Sequence, residues 1–223
     1  MNKIVVGILC GRGDTDEAVG TFKAVRDAGH TGPITPLFGV APTNKFRGGA
    51  YIHMPIASLN KRGLARTELV RRMAKMWKAA DLYVVIDDDT RPEPGYFDYL
   101  RGIKLPEEPV LMGGKLVNFD GTRSWDVCSF QSGDPVIVPY EMWDHELYNK
   151  DLYLSGPQHM FNRSGVILAS SIGYPDKEYG EDTNFCFEFK DRGGRIVFIP
   201  DIRAKLGHLH NPPNEVDWSK VKH

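Results

Sequence analysis

The chain has 223 residues, 41% of them apolar and 26% charged, with a formal net charge of -1, which excludes a disordered or fibrous chain and a globally polyanion-binding surface. The length suits one α/β domain or two small ones, with a core that needs no staples, and no apolar run approaches the roughly 20 residues of a membrane span. Three cysteines, Cys10, Cys128 and Cys186, form no CxxC pair, and the N-terminus lacks the long apolar stretch of a signal peptide, so a reducing, cytoplasmic setting is expected.

Lys3 to Leu9 is a nearly continuous Ile/Val-rich run, the pattern of a strand buried on both faces of a parallel sheet. A helix follows, with Asp14 as its expected N-cap, Glu17 three residues on, apolar Ala18, Phe22 and Val25, and Gly29 as a stop. Ile34 to Val40 reads as a second strand, which Pro36 makes an edge strand or a ragged one. Residues 41 to 60 have no period and suggest a long functional loop. From about Gly63 to Ala80 the stripe Leu69, Met73, Met76, Trp77 and Ala80 predicts a helix, feeding the buried strand Leu82 to Ile86. This βαβ order predicts a doubly wound half-domain with ligands at the carboxyl ends of the strands.

The second half is less regular. Strands are expected at Pro109 to Met112, Pro135 to Val138 and in RIVFI, with the turn-rich FDGTRSWD between the first two. Helices are expected from Ser164 and from Glu181 to Arg192, and residues 211 to 223 read as a tail.

Asp87, Asp88 and Asp89 close the strand that begins at Leu82. Three adjacent carboxylates repel unless a cation or an arginine neutralises them. Strand alternation would turn Asp87 and Asp89 to one side, where two hard oxygen ligands suit Mg²⁺ or Mn²⁺. The same residues would also serve to cap the turn TRPEPG that follows.

The segment GYPDKEYGEDTNFCFEFKDRGGRIVFIP, followed by GHLH, resembles the second half of GT-A glycosyltransferases of the family 2 type. The matching pieces are Gly173 and Tyr174, Glu181 and Asp182, the helix through Phe189, Gly193 and Gly194, the strand Ile196 to Ile199, and His208 or His210. SGPQHMFNRSGVILASSIGY looks like the segment before the Glu-Asp pair, and GLARTELVRR resembles the Gly-x-Ala-Arg-Asn element before the acidic strand, with Thr67 where asparagine is usual. The resemblance covers about Gly63 to His210.

It implies an α/β fold, a single GT-A (Rossmann-like) domain over residues 1–210 with a mainly parallel twisted sheet flanked by helices, residues 1–103 binding the nucleotide and 104–210 the acceptor. The implied activity is metal-dependent transfer of a sugar, by inversion, from a nucleotide-sugar, UDP-sugar by default, to an acceptor hydroxyl. Asp182 would be the base and Glu181 its neighbour near the acceptor. Asp87, Asp89 and His208 or His210 would hold Mn²⁺ or Mg²⁺, with Arg66 near the diphosphate and Asp88 turned to the nucleotide or the fold. PLFGVAPTN has no acidic residue for the nucleobase, so the first loop, Cys10 to Asp16 with Gly11 and Arg12, or the long loop around Tyr51 would contribute.

Arg62, Arg66, Arg71, Arg72, Lys75 and Lys78 make one helix strongly basic, with Lys45 and Arg47 just before it. A solvated helix face explains this, and a DNA acceptor would also use it. Trp125 and Trp143 stand in loops able to read an acceptor. Two other readings share these features. A nucleotidyltransferase also sets metal-binding aspartates at strand ends, although GRGDTDE is too acidic for its phosphate loop; a non-catalytic sugar- or nucleic-acid-binding module would not need the base.

Overall fold

The computed structural model describes residues 1–11, 15–39, 51–54, 61–118, 127–131, 134–137, 152–154, 156–176 and 181–206. The turn FDGTRSWD with Trp125, the loop residue Trp143, Lys45, Arg47, Arg12, His208, His210 and the tail all lie outside these residues.

The first run forms β1 (Ile4–Cys10), in which all seven residues are buried, as a strand covered on both faces must be. It leads into α1 (Asp16–Asp27), then β2 (Ile34–Phe38), the two-residue β3 (Ile52–His53), α2 (Arg62–Met76) and β4 (Leu82–Asp87). Next come β5 (Thr90–Pro92), α3 (Tyr96–Gly102), β6 (Val110–Val117), β7 (Val127–Gln131), β8 (Asp134–Ile137) and β9 (Leu152–Leu154). The chain then adds β10 (Gln158–Asn162), α4 (Arg163–Ile172), α5 (Glu181–Asp191) and β11 (Arg195–Leu206).

One eight-stranded sheet runs β3-β2-β1-β4-β10-β6-β11-β5. The strands from β3 to β4 are parallel, as are β6 and β11, whereas β10 runs antiparallel to both β4 and β6, and β5 antiparallel to β11. A small antiparallel sheet, β8-β7-β9, stands apart.

Period-two alternation splits the core into two layers. Val5 and Leu9 of β1, with Tyr83 and Val85 of β4, pack beneath α2, α4 and α5. Ile4, Val6 and Ile8, with Leu82, Val84 and Ile86, pack beneath α1 and α3. Continued one step, the alternation aims Asp87 at the α2/α5 layer.

Four expectations are corrected. The N-cap of α1 is Thr15, whose side chain accepts from the Ala18 N–H, rather than Asp14. Strand β2 is not the sheet edge, because β3 pairs with it at Leu37 and Phe38, and Pro36 is accommodated opposite Ile8. Helix α2 stops at Met76 with Trp77 as C-cap, so Ala80 belongs to the turn entering β4. Strand β4 ends at Asp87 and residues 88 and 89 form a turn, so strand alternation does not reach Asp89. Among the described residues, no helix is long and apolar enough to cross a membrane.

Candidate functional site

In a parallel sheet the carboxyl ends of neighbouring strands share one edge, and loops from both half-layers meet there. Leu9 lies opposite Asp87 in the β1–β4 register, so Gly11, two residues on, falls at the same edge. The Asp88 N–H donates to the Leu9 carbonyl and the Thr21 hydroxyl donates to the Asp88 carbonyl, which fixes the acidic turn against β1 and α1. Asp87 and Asp88 are partly exposed and Asp89 is buried, with the Thr90 hydroxyl 3.5 Å from its Oδ1.

Arg66 dominates the site. It stands on the buried face of α2 and is only 1% exposed. Its Nη2 donates to both oxygens of Asp87, at 2.9 and 2.7 Å, while Nη1 donates to Glu181 Oε1 at 3.1 Å. Burial opposes its charge, but Asp87, Glu181 and Asp182 outweigh that and raise its pKa above the ordinary value. The guanidinium therefore stays protonated. Burial and the charge of Asp182 push the Glu181 carboxyl up, against the opposing pull of Arg66.

Asp182 occupies the first turn of α5, where a carboxylate complements the helix dipole. Its Oδ2 accepts from the Gly156 N–H at 2.6 Å and its Oδ1 from the Thr183 N–H at 2.8 Å. The Pro157 carbonyl, one residue further on, accepts from the Asp87 N–H at 3.1 Å and from the Thr90 hydroxyl at 3.2 Å. The Gly156–Pro157 turn thus joins the acidic end of β4 to Asp182.

Behind Arg66 lies a stack of rings. Tyr174 packs on Phe185 with centroids 4.0 Å apart, and its hydroxyl is 2.7 Å from His159 Nδ1. Burial holds the Tyr174 phenol well above its usual range. The Arg66 guanidinium stands 5.9 Å from the Tyr174 ring. Thr67 completes this wall: its hydroxyl donates to the Gly63 carbonyl and accepts from the Tyr174 N–H at 2.7 Å.

The structure brings Asp87, Arg66, Glu181 and Asp182 together. It turns Arg66 and Glu181 inward, against the expectation of a diphosphate contact for Arg66 and an acceptor contact for Glu181: each side chain is already held by the other, and Arg66 by Asp87 as well. Gly156, Pro157 and His159 were missed, the first two although the sequence SGPQ marks a turn. Among the described residues, no group of three or more His, Cys, Asp or Glu side chains is arranged to hold a metal.

The basic helix also changes character. Arg66 is internal, Arg72 pairs with Glu68 at 2.6 Å, and Arg71 donates to the Ser170 carbonyl at 3.0 Å. Arg62 and Lys75 on the helix, and Lys78 just past its end, are exposed.

No family model and no curated protein sequence matches the chain. Solved structures do. A crystal structure of GalNAc-T7 with UDP, GalNAc and Mn²⁺ aligns with a TM-score of 0.63 at 11% identity, covering 97% of this chain and 46% of that one. Staphylococcus aureus TarS 1-349 in complex with UDP-GlcNAc aligns with a TM-score of 0.60 at 11% identity, over 94% of this chain and 60% of that one. Both are GT-A fold glycosyltransferases, and the chain shares their fold. It spans 46% to 60% of the length of these two structures.

Proposed function

We propose that the chain is a metal-dependent glycosyltransferase that moves a sugar, in our reading a hexose, from a nucleotide-sugar to an acceptor hydroxyl on a glycan, a protein or a modified DNA base. UDP is the default carrier. The observation that carries the reading is the meeting of the acidic end of β4 with Asp182 at one edge of the sheet, through Arg66 and the Gly156–Pro157 turn. The fold adds support, since GalNAc-T7 was crystallised with UDP and Mn²⁺ and TarS with UDP-GlcNAc.

The acidic run fits a hard divalent cation in chemistry, because carboxylate oxygens are what Mg²⁺ and Mn²⁺ prefer. We assign Mn²⁺ or Mg²⁺ to Asp87 and Asp89 of this run, with Asp88 turned toward the nucleotide or the fold; Asp87 is at the same time bonded to Arg66. A bound cation would neutralise charge developing on the departing diphosphate. His208 or His210 would complete the shell, and Gly11 with Arg12 would face the nucleotide.

In the transfer step the acceptor oxygen attacks the anomeric carbon from the side opposite the diphosphate. The bond from that carbon to the diphosphate oxygen breaks, and the hydroxyl proton passes to Asp182, which inverts the configuration. Glu181, buried against Arg66, takes no part in moving the proton.

Calorimetric titration with UDP-sugars in Mn²⁺ and in EDTA, paired with a transfer assay, tests the reading. Saturable binding that requires the cation, with release of UDP on adding acceptor, is expected. Binding of nucleoside triphosphates with release of pyrophosphate would assign the chain to nucleotidyl transfer instead, and binding without any turnover would leave a sugar-binding module.

A further inference from the structure

The guanidinium of Arg66 is closed in by four segments. Helix α2 carries it, β4 supplies Asp87, α5 supplies Glu181, and the Gly156 backbone covers it. A Cβ at Gly156 would stand 1.9 Å from Nη1 and 2.4 Å from Cζ, so only glycine brings the chain this close. That close approach is what sets the Gly156 N–H 2.6 Å from Asp182 Oδ2.

We propose that Arg66 is a positioning residue for Asp182, and the inference rests on the reading of Asp182 as the base. Arg66 touches neither the reacting atoms nor, at 1% exposure, the solvent from which a donor arrives. It acts along two paths. Through Glu181 it fixes the first turn of α5, and through its close contact with Gly156 it fixes the N–H that orients the Asp182 carboxylate.

The second path also reaches the donor side. Pro157 follows Gly156 directly and receives the Asp87 N–H, while Arg66 itself grips the Asp87 carboxylate with one nitrogen. One cation therefore sets the separation between the acidic strand end and the base. A planar fork can bridge two carboxylates and still present a flat face to a backbone, which an ammonium cannot do.

Arg66→Lys tests this, since it retains a buried cation and loses the fork. The expected result is a folded protein with calorimetric affinity for UDP-sugar and Mn²⁺ within about threefold of wild type and kcat lower by roughly tenfold to a hundredfold. Placed on an Asp182→Asn background, the same change is expected to cost under about twofold in the remaining rate, because residues acting as a unit are not additive.

Gly156→Ala is the second variant. It leaves every charge in place and pushes a methyl group into the guanidinium, and the same split between kcat and donor affinity is expected. Full kcat in both variants would overturn the assignment. So would equal losses with and without Asp182, or a loss confined to donor affinity, which would make Arg66 a donor-binding residue. An inactive wild type would remove the glycosyltransferase reading itself, whereas an active wild type with additive losses removes only the role of Arg66.

Discussion

Asp182 accepts two backbone N–H groups, one on each oxygen, and a carboxylate tied down in that way presents its remaining lone pairs in a fixed direction. Asparagine keeps the size and one acceptor but takes no proton at neutral pH. Asp182→Asn is therefore expected to bind a sugar nucleotide as wild type does and to lose about a hundredfold or more in turnover; full turnover in steady-state kinetics would exclude it as base. Asp87 belongs to a different ledger. Its carboxylate holds Arg66 Nη2 in a nearly buried pair, with side-chain exposures of 18% and 2%, and removing one member of such a pair costs about 3–5 kcal/mol. Asp87→Ala should lower stability by that order in urea denaturation, and Asp87→Ala/Arg66→Met/Glu181→Gln, which also removes the carboxylate that Arg66 pairs on its other side, should recover part of it. A single variant as stable as wild type would contradict the pairing.

At the scale of elements, the site depends on how closely α2 approaches the segment that follows α4. A Cβ at Gly63 would lie 2.1 Å from the Pro175 carbonyl oxygen, a backbone contact that cannot swing aside. Gly63→Ala should push α2 outward and cost about 1–3 kcal/mol in denaturation; unchanged stability would show that the backbone at Pro175 gives way. The corner between α1 and β2 carries a pH dependence of its own. His30 is buried, its ring 4.8 Å from that of Phe97. Burial depresses its pKa below 6.5, reinforced by Arg26 and Arg101 and opposed by the Pro33 carbonyl. A histidine held neutral in this way adds stability that is present above pH 6.5 and is lost as the pH falls through the depressed value. Thermal midpoints between about pH 5 and 8 should drop on the acid side in wild type and drop less in His30→Gln; parallel curves would refute this. These elements also show what the sequence could reveal. The strands β1 and β4 and the helices α1, α2 and α5 were legible because burial on two faces or a 3.6-residue stripe leaves a pattern. The central strand β10 was not. QHMFN alternates nothing, and several of its polar contacts are with distant residues: Gln158 donates to the Tyr96 hydroxyl at 2.6 Å, and Asn162 to the Pro106 and Glu108 carbonyls. The site divides similarly. The aspartate run stood out as a concentration of charge and the Glu-Asp pair through the family resemblance, but the link of Arg66 to Glu181 spans 115 residues and no local pattern encodes it.

Over the whole molecule the question is whether this surface can hold a polyanion such as DNA. A net charge of -1 gives no general attraction to a polyanion, so DNA would have to be held by a patch. The face of α2 was the candidate, and its cations are largely committed: Arg66 lies inside, Arg72 pairs with Glu68 and Arg71 is bonded to Ser170. Arg62, Lys75 and Lys78 are left to meet phosphate. Each neutralised phosphate contributes about -0.9 to the slope of log affinity against log salt, so this face should yield a slope of about -2.7, three times that value. Fluorescence anisotropy of a labelled duplex across a salt series measures it. The expected outcome is weak, shallowly salt-dependent binding that Arg62→Ala/Lys75→Ala/Lys78→Ala abolishes. A slope twice as steep, surviving that substitution, would mean that cations elsewhere, such as Lys45 and Arg47, carry a nucleic-acid surface and would favour a DNA acceptor.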